Sequence, residues 1–319
     1  MYEDDIAFNQ FLQFIFYGQW VRLKRYANAK GVEIMGDIPF YVGLDSVDVW
    51  ANRQYFLLDE QCEPTHVGGV PPDYFHAQGQ RWGNPIYDWA ALERDGFGFW
   101  IERLRLNQKV FDSIRLDHFR AFDTYWKIPA REETAVLGEW VEAPGYAFFD
   151  KLFQVLPDSK IFVEDLGNMR PEVFELRDHY HFMGMDILQF SFGEDMSSAK
   201  KKTRENRIAY TGTHDNQTTL GWFLSLPQAE QEKMRQHLAE LGYDGSISQQ
   251  MIQYTLGSSA DIAIIPIWDI LGLDDSARMN TPGTVGSPNW EWKLANYDLL
   301  EEKWAEYAQW LRKCGRTAE

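Results

Sequence analysis

Phe8, Phe11, Leu12, Ile15, Phe16, Trp20, Leu23 and Ala27 recur at three- and four-residue steps. That spacing lines one face of a helix, so residues 6 to 30 are predicted to form an amphipathic helix that stops at Gly31. Short apolar runs ending in polar residues follow: Val32 to Met35 before Gly36-Asp37, Ser113 to Leu116 before Asp117, and Lys160 to Val163 before Glu164. Met185 to Phe192, Arg207 to Tyr210 and Ile262 to Trp268 repeat the pattern. Each run reads as a buried strand. Helical periodicity fills several of the gaps, at Phe99 to Val110, Pro171 to Tyr180 and Gln228 to Leu241.

Strands alternating with helices predict an α/β protein with a parallel sheet covered by helices. In the barrel version of that architecture, chemistry sits at the C-terminal ends of the strands. Some 80 positions separate Asp37 from Asp117, far more than one βα repeat of about 30 residues needs. The excess, 45 to 95, is rich in Gly, Pro and aromatic residues and is expected to be a loop-rich subdomain over the barrel mouth. The rest of the chain, 1 to 319, reads as one catalytic barrel with about six strands. Closure takes eight, so the pattern opens in mid-repeat.

Composition narrows the partners. With 45% hydrophobic and 25% charged residues the chain is globular. It contains no run of the roughly 20 apolar residues that a bilayer span needs, and its acidic start, Met1-Tyr2-Glu3-Asp4-Asp5, is unlike a signal peptide. A cytoplasmic location is expected. Cys62 and Cys314 are too few for a disulfide framework, and no second pair joins Cys62 and His66 to make a zinc site. We expect no metal and no cofactor. The net charge of −17 argues against nucleic acid and anionic lipid as partners and suits a neutral substrate. The 15% aromatic content, with 13 Trp, offers flat rings to stack on sugars, although core packing uses the same residues.

Three strand-end clusters carry candidate chemistry. In Ser113-Ile114-Arg115-Leu116-Asp117-His118, alternation puts Arg115 and Asp117 on one side of the strand. The pair is either an ionised nucleophile beside its cation or a structural ion pair. In Ile161-Phe162-Val163-Glu164-Asp165, one of two adjacent acids faces the site. Glu164 closes an apolar run that would raise its pKa and suit a proton donor, while capping of the next helix is the alternative for either acid. In Tyr210-Thr211-Gly212-Thr213-His214-Asp215-Asn216, a turn presents polar groups that either bind a distorted sugar or form a buried loop network. Retaining cleavage of a glycosidic bond needs a carboxylate and a carboxylic acid about 5 to 5.5 Å apart, which neighbouring barrel strands can supply.

In this order, Arg-x-Asp-His, Glu-Asp and His-Asp-Asn resemble the signature of the α-amylase clan, where they end strands four, five and seven. Within the clan, Gly36-Asp37-Ile38-Pro39-Phe40-Tyr41-Val42 is similar to the strand-three motif of 4-α-glucanotransferases of the amylomaltase type. So are Gly69-Val70-Pro71-Pro72-Asp73-Tyr74-Phe75 and Gly79-Gln80-Arg81-Trp82-Gly83-Asn84-Pro85. The likeness runs from about residue 8 to 312 and implies a (β/α)8 TIM-type barrel of which strands three to eight are present.

The resemblance further implies Asp117 as nucleophile, Glu164 as acid/base and Asp215 as transition-state stabiliser, with Arg115 and His214 as neighbours. It implies Tyr74, Phe75 and Trp82 as acceptor-side platforms and Gln80 as a polar contact. Asn280, in Arg278-Met279-Asn280-Thr281-Pro282-Gly283-Thr284, would touch sugar, and Asp37, His118 and Asn216 belong to the substrate-binding motifs. The substrates implied are α-1,4-glucans. Family members carry a long segment ahead of this start, so the chain is expected to be N-terminally truncated. An α-glucan hydrolase or debranching enzyme and an inactive glucan-binding fragment are the alternatives. A metal-dependent hydrolase finds little support, because His179-Tyr180-His181 closes a helix.

Overall fold

The computed structural model describes residues 2–72, 77–192 and 206–317. The fold is α/β, and the chain divides into two compact units, Met1–Phe182 and Met183–Glu319. The first unit opens with α1 (Glu3–Ala29), close to the predicted bounds. Strand β1 is Met35–Ile38, three residues later than the predicted run Val32 to Met35. The apolar pattern misplaced it because Gly36 and Asp37 look like a turn. In the structure Gly36 lies under the ring of Phe111, where a Cβ would come within 2.1 Å of that ring, and the glycine therefore belongs inside the strand.

After β1 come α2 (Val47–Ala51), β2 (His66–Val70), β3 (Gln80–Pro85), α3 (Trp89–Arg94) and α4 (Gly98–Val110). Then follow β4 (Ser113–Leu116), β5 (Thr124–Pro129), β6 (Glu139–Glu142), α5 (Gly145–Val155), β7 (Ile161–Val163) and α6 (Pro171–His179). Strands β1, β4 and β7 form a parallel sheet in that order, with Asp37 opposite Arg115 and Arg115 opposite Phe162. The expected loop-rich insertion instead holds two strands of a four-stranded antiparallel sheet ordered β3-β2-β5-β6. Gly68-Gly69 misled the sequence reading. A Cβ on Gly68 would strike the Tyr41 ring and one on Gly69 the backbone of Gln80, so close packing, not a turn, demands these residues.

Under the parallel sheet lies an aromatic core in which Phe40, Tyr87, Trp100, Phe119, Phe122, Phe148 and Phe149 are almost fully buried. Their contacts are largely edge-to-face or tilted, as between Phe40 and Phe122 at 4.9 Å, the geometry that ring quadrupoles favour. Much of the 15% aromatic content is therefore core.

The second unit contains β8 (Gly184–Ile187), α7 (Leu188–Ser191), β9 (Arg207–Tyr210), α8 (Thr219–Ser225), α9 (Gln228–Glu240), α10 (Ile247–Leu256), β10 (Ile262–Ile264), α11 (Ile267–Ile270) and α12 (Asp298–Lys313). Its strands pair in parallel, ordered β10-β9-β8. Two predicted strands were too long. The run Met185 to Phe192 turns helical at Leu188, since a short apolar run does not distinguish strand from buried helix. The strand predicted from Ile262 to Trp268 stops at Ile264, two residues before Pro266, which lacks an N–H for the ladder and precedes α11 as its N-cap.

Helix α1 is amphipathic in sequence but buries none of its side chains fully. Trp20, Lys24 and Asn28 tie its C-terminal half to the first unit: Trp20 Nε1 donates to Val110 O at 2.8 Å, Lys24 pairs with Asp112 at 3.1 Å, and Asn28 donates to Asp112 at 2.8 Å. Phe8, Phe11, Leu12, Ile15 and Phe16 stay exposed on its N-terminal half. Among the described residues no helix is long and apolar enough to cross a membrane.

A contiguous apolar face of this kind binds hydrophobic dyes. Replacing Phe8, Phe11 and Phe16 together by Ser is expected to reduce anilinonaphthalene sulfonate fluorescence several-fold. Because the three sites are exposed, the stability change should stay within about 0.5 kcal/mol per site, read by thermal unfolding. Unchanged dye binding would show that the face is covered in solution.

Candidate active site

Arg115 is the first element of the site. Parallel register puts it opposite Asp37, and strand alternation puts Asp117 on its own face. Its Nη1 donates to both carboxylate oxygens of Asp37, at 2.8 and 2.6 Å, and its Nη2 lies 3.0 Å from Asp117 Oδ1. The Arg115 residue is only 8% exposed, whereas the Asp37 and Asp117 side chains are 44% and 38% exposed. Burial alone would weaken the guanidinium's hold on its proton. The charges of Asp117 and Asp37 and the hydrogen bond to Asp37 outweigh burial and leave Arg115 more firmly protonated than usual.

Glu164 follows the last residue of β7. The parallel ladder continues past the strand ends, where the Asp117 N–H donates to Ile38 O, the Glu164 N–H to Leu116 O, and the Phe119 N–H to Glu164 O. This backbone framework brings the Glu164 carboxyl onto the chain next to Asp117. Glu164 Oε2 accepts from the His118 N–H at 2.9 Å and Oε1 from the Leu166 N–H at 3.2 Å. Burial, and then the charge of Asp117, pushes the Glu164 carboxyl up to about 8, against the opposing pull of Arg115 and the two N–H groups. The neighbouring acid behaves otherwise. Asp165 is buried and accepts from Arg177 Nη1 at 2.7 Å, within α6, so it faces away from Glu164 and caps no helix.

His118 adopts a left-handed backbone conformation, φ 50°. Its ring packs edge-on against Trp82 at 4.9 Å, and Trp82 Nε1 donates to Gln80 Oε1 at 3.1 Å. Gln80 and Trp82, both on β3, thus stand beside the residue that follows Asp117. Burial, and then the nearby Arg120 charge, lowers His118 to about 4 and keeps its ring neutral. Its Nε2 is buried without a hydrogen-bond partner among the described residues. Tyr74 and Phe75 lie outside the described residues.

In the second unit, the nine-residue connection from Thr211 to Thr219 follows β9 and carries His214, Asp215 and Asn216. His214 Nε2 is 3.4 Å from Asp215 Oδ2, and Asn280 Nδ2 donates to Asp215 Oδ1 at 2.6 Å. Asn216 Oδ1 accepts from the Thr213 N–H and hydroxyl, at 2.9 and 2.8 Å, and so shapes the turn. Sequence reasoning did not single out Trp290, whose exposed ring lies 5.2 Å from that of His214, or the buried Asp269. An isolated Trp in a Pro-Asn-Trp-Glu stretch gave no periodic signal.

This is an α/β protein with a protonated carboxylic acid beside an arginine-paired carboxylate at the C-terminal ends of adjacent parallel strands. The glycoside hydrolase family 77 model, described as 4-alpha-glucanotransferase, matches residues 1–299, and the chain belongs to that family. It is 43% identical over 307 residues to the 4-alpha-glucanotransferase of Thermus thermophilus, a match covering 94% of this chain and 61% of the relative. With the chloroplastic/amyloplastic 4-alpha-glucanotransferase of Solanum tuberosum it shares 41% identity over 309 residues, covering 95% of this chain and 53% of the relative. The amylomaltase of Streptococcus agalactiae, solved in complex with acarbose, superposes with a TM-score of 0.91 at 36% identity, over 96% of this chain and 62% of that one. The amylomaltase of Corynebacterium glutamicum, 20% identical with a TM-score of 0.76 over 98% of this chain and 50% of that one, shares the fold. The chain spans between half and two thirds of the length of these relatives.

The electrostatics have a definite sign. By infrared or NMR titration Glu164 should lose its proton with a midpoint near 8. Asp117→Asn removes a negative neighbour and is expected to lower that midpoint, whereas Arg115→Met should raise it. In the unfolded chain Glu164 ionises near its ordinary 4.5, so stability falls as pH rises from about 4.5 to about 8 and then levels. Glu164→Gln lacks this loss and should be the more stable protein above that window. A wild-type minus Glu164→Gln stability difference that does not vary with pH would contradict the assignment.

Proposed function

We propose that the chain is the larger part of a 4-α-glucanotransferase barrel that moves α-1,4-glucan segments between maltodextrins with retention of configuration. The observation that carries this reading is the unequal carboxyl pair, Asp117 held by Arg115 and Glu164 protonated by its surroundings. Family membership, and the acarbose seen in the Streptococcus agalactiae amylomaltase, support a glucan as substrate. In this reading the six parallel strands are strands three to eight of a (β/α)8 barrel spanning 1–319, with 45–95 as an acceptor-side subdomain. Two free cysteines suit a reducing, cytoplasmic setting.

Asp117 attacks the anomeric carbon of the donor while Glu164 gives its proton to the departing glycosidic oxygen. A glycosyl ester on Asp117 and a shortened glucan result. Glu164, now ionised, takes the proton from the 4-hydroxyl of an incoming glucan. That oxygen displaces Asp117 and restores both carboxyl groups. Arg115, paired with Asp117 at 3.0 Å, orients it for attack and later stabilises it as the leaving group. By its motif, Asp215 is assigned the steadying of positive charge on the sugar, with His214, Asn216 and Asn280 alongside. The roles of Tyr74 and Phe75 rest on the family motif alone. Trp82 and Gln80, packed beside His118, give the acceptor a stacking face that disfavours water.

Asp117→Asn is expected to lower transfer by at least about a thousandfold with an unchanged circular dichroism spectrum. Incubation of the wild type with maltotriose should yield glucose together with longer maltodextrins. Shortened products alone would identify a hydrolase, and substantial turnover by Asp117→Asn would remove that residue from its role.

A further inference from the structure

The connection Thr211 to Thr219 contains its own Thr213–Asn216 turn and is tied to the rest of the unit at both ends and in the middle. The ties converge on one short stretch after β10. Asp269, in α11 and 1% exposed, accepts from the Thr211 hydroxyl at 2.5 Å, the Thr219 hydroxyl at 2.8 Å and the Thr219 N–H at 2.8 Å. Asp275 accepts from Gln217 Nε2 at 2.6 Å and the Thr218 N–H at 3.0 Å. Arg278 Nη2 donates to Asp215 O at 3.2 Å, and Asn280 reaches the Asp215 carboxylate itself.

Two features show that this grip is built into the fold. A buried carboxylate is tolerated only when donors surround it, and among the described residues the donors to the Asp269 carboxylate come from the two ends of this connection. Gly221, in the first turn of α8, leaves room for Asp275, since a Cβ there would lie 2.1 Å from Asp275 Oδ1. We propose that Asp269 and Asp275 are positioning residues, forming with Arg278 and Asn280 a clamp whose function is to hold the Asp215 side chain at a fixed place and angle. The consequence for transfer rests on the functional reading given above; the clamp itself does not.

The test uses the full chain. Asp275 is half-buried, so Asp275→Ala should fold, and Gly221→Ala should displace the Asp275 carboxylate by a separate route. Both variants are expected to speed amide hydrogen exchange in peptides covering 211–219 by about tenfold while leaving α10 unchanged. In maltotriose transfer kcat should fall between about ten- and a hundredfold with KM within about twofold. Asp275→Asn, which keeps one acceptor oxygen, should recover most of both effects. Unchanged exchange in 211–219, or equal acceleration across α10, would overturn the clamp, the second result showing a merely structural role. Local acceleration with kcat unaltered would separate the clamp from catalysis and overturn the positioning role. Absence of transfer by the wild type would count against the functional reading, while the exchange measurement, which needs no turnover, would still decide the clamp.

Discussion

One buried guanidinium organises the first unit's site. Arg115 is the cation to which the Asp37 and Asp117 carboxylates are bound. Removing a charge from water costs several kcal/mol unless it is paired in good geometry, and a planar fork with several donors meets that demand where a lysine ammonium would not. The same arithmetic of charge explains Glu164. One cation already balances one of two carboxylates, so ionising a third acid at a partly buried position would leave two negative charges uncompensated. Burial is the larger cause of Glu164 keeping its proton, and the charge of Asp117 comes second.

Two acids adjacent in sequence acquire different chemistry because a strand sends alternate side chains to opposite sides. Asp165 is locked to Arg177 and fastens β7 to α6. Glu164 stays at the strand end, where the His118 and Leu166 N–H groups bond it and the charges of Asp117 and Arg115 act on it. Environment, more than residue type, divides the ion-paired acid from the one that keeps its proton.

Much of this was legible in the chain. Alternation placed Arg115 with Asp117 and set Glu164 against Asp165, and the helices from Gly98, Pro171 and Gln228 begin within a residue of expectation. Errors arose where a residue's role depends on distant neighbours. Gly36 was placed after the strand, and Gly68 and Gly69 in a loop-rich excursion, yet all three lie in strands, against Phe111, Tyr41 and Gln80. Asp269 and Asp275 gave no signal in the sequence, because their partners are 50 to 58 residues away. The Phe8 to Phe16 face of α1 was read correctly as a stripe, but periodicity cannot say whether a stripe is covered.

Strand β3 changes what the insertion means. Gln80 and Trp82 are held in a four-stranded ladder, where Trp82 packs edge-on against His118 and donates to Gln80 Oε1, so the freedom of the indole is already restricted. A floppy aromatic loop must surrender that freedom on each encounter, which weakens binding by about 0.5 to 1.5 kcal/mol for each side chain immobilised. Here the ordering is completed once, when the polypeptide folds, so under the proposed function an acceptor ring would meet a surface already in place.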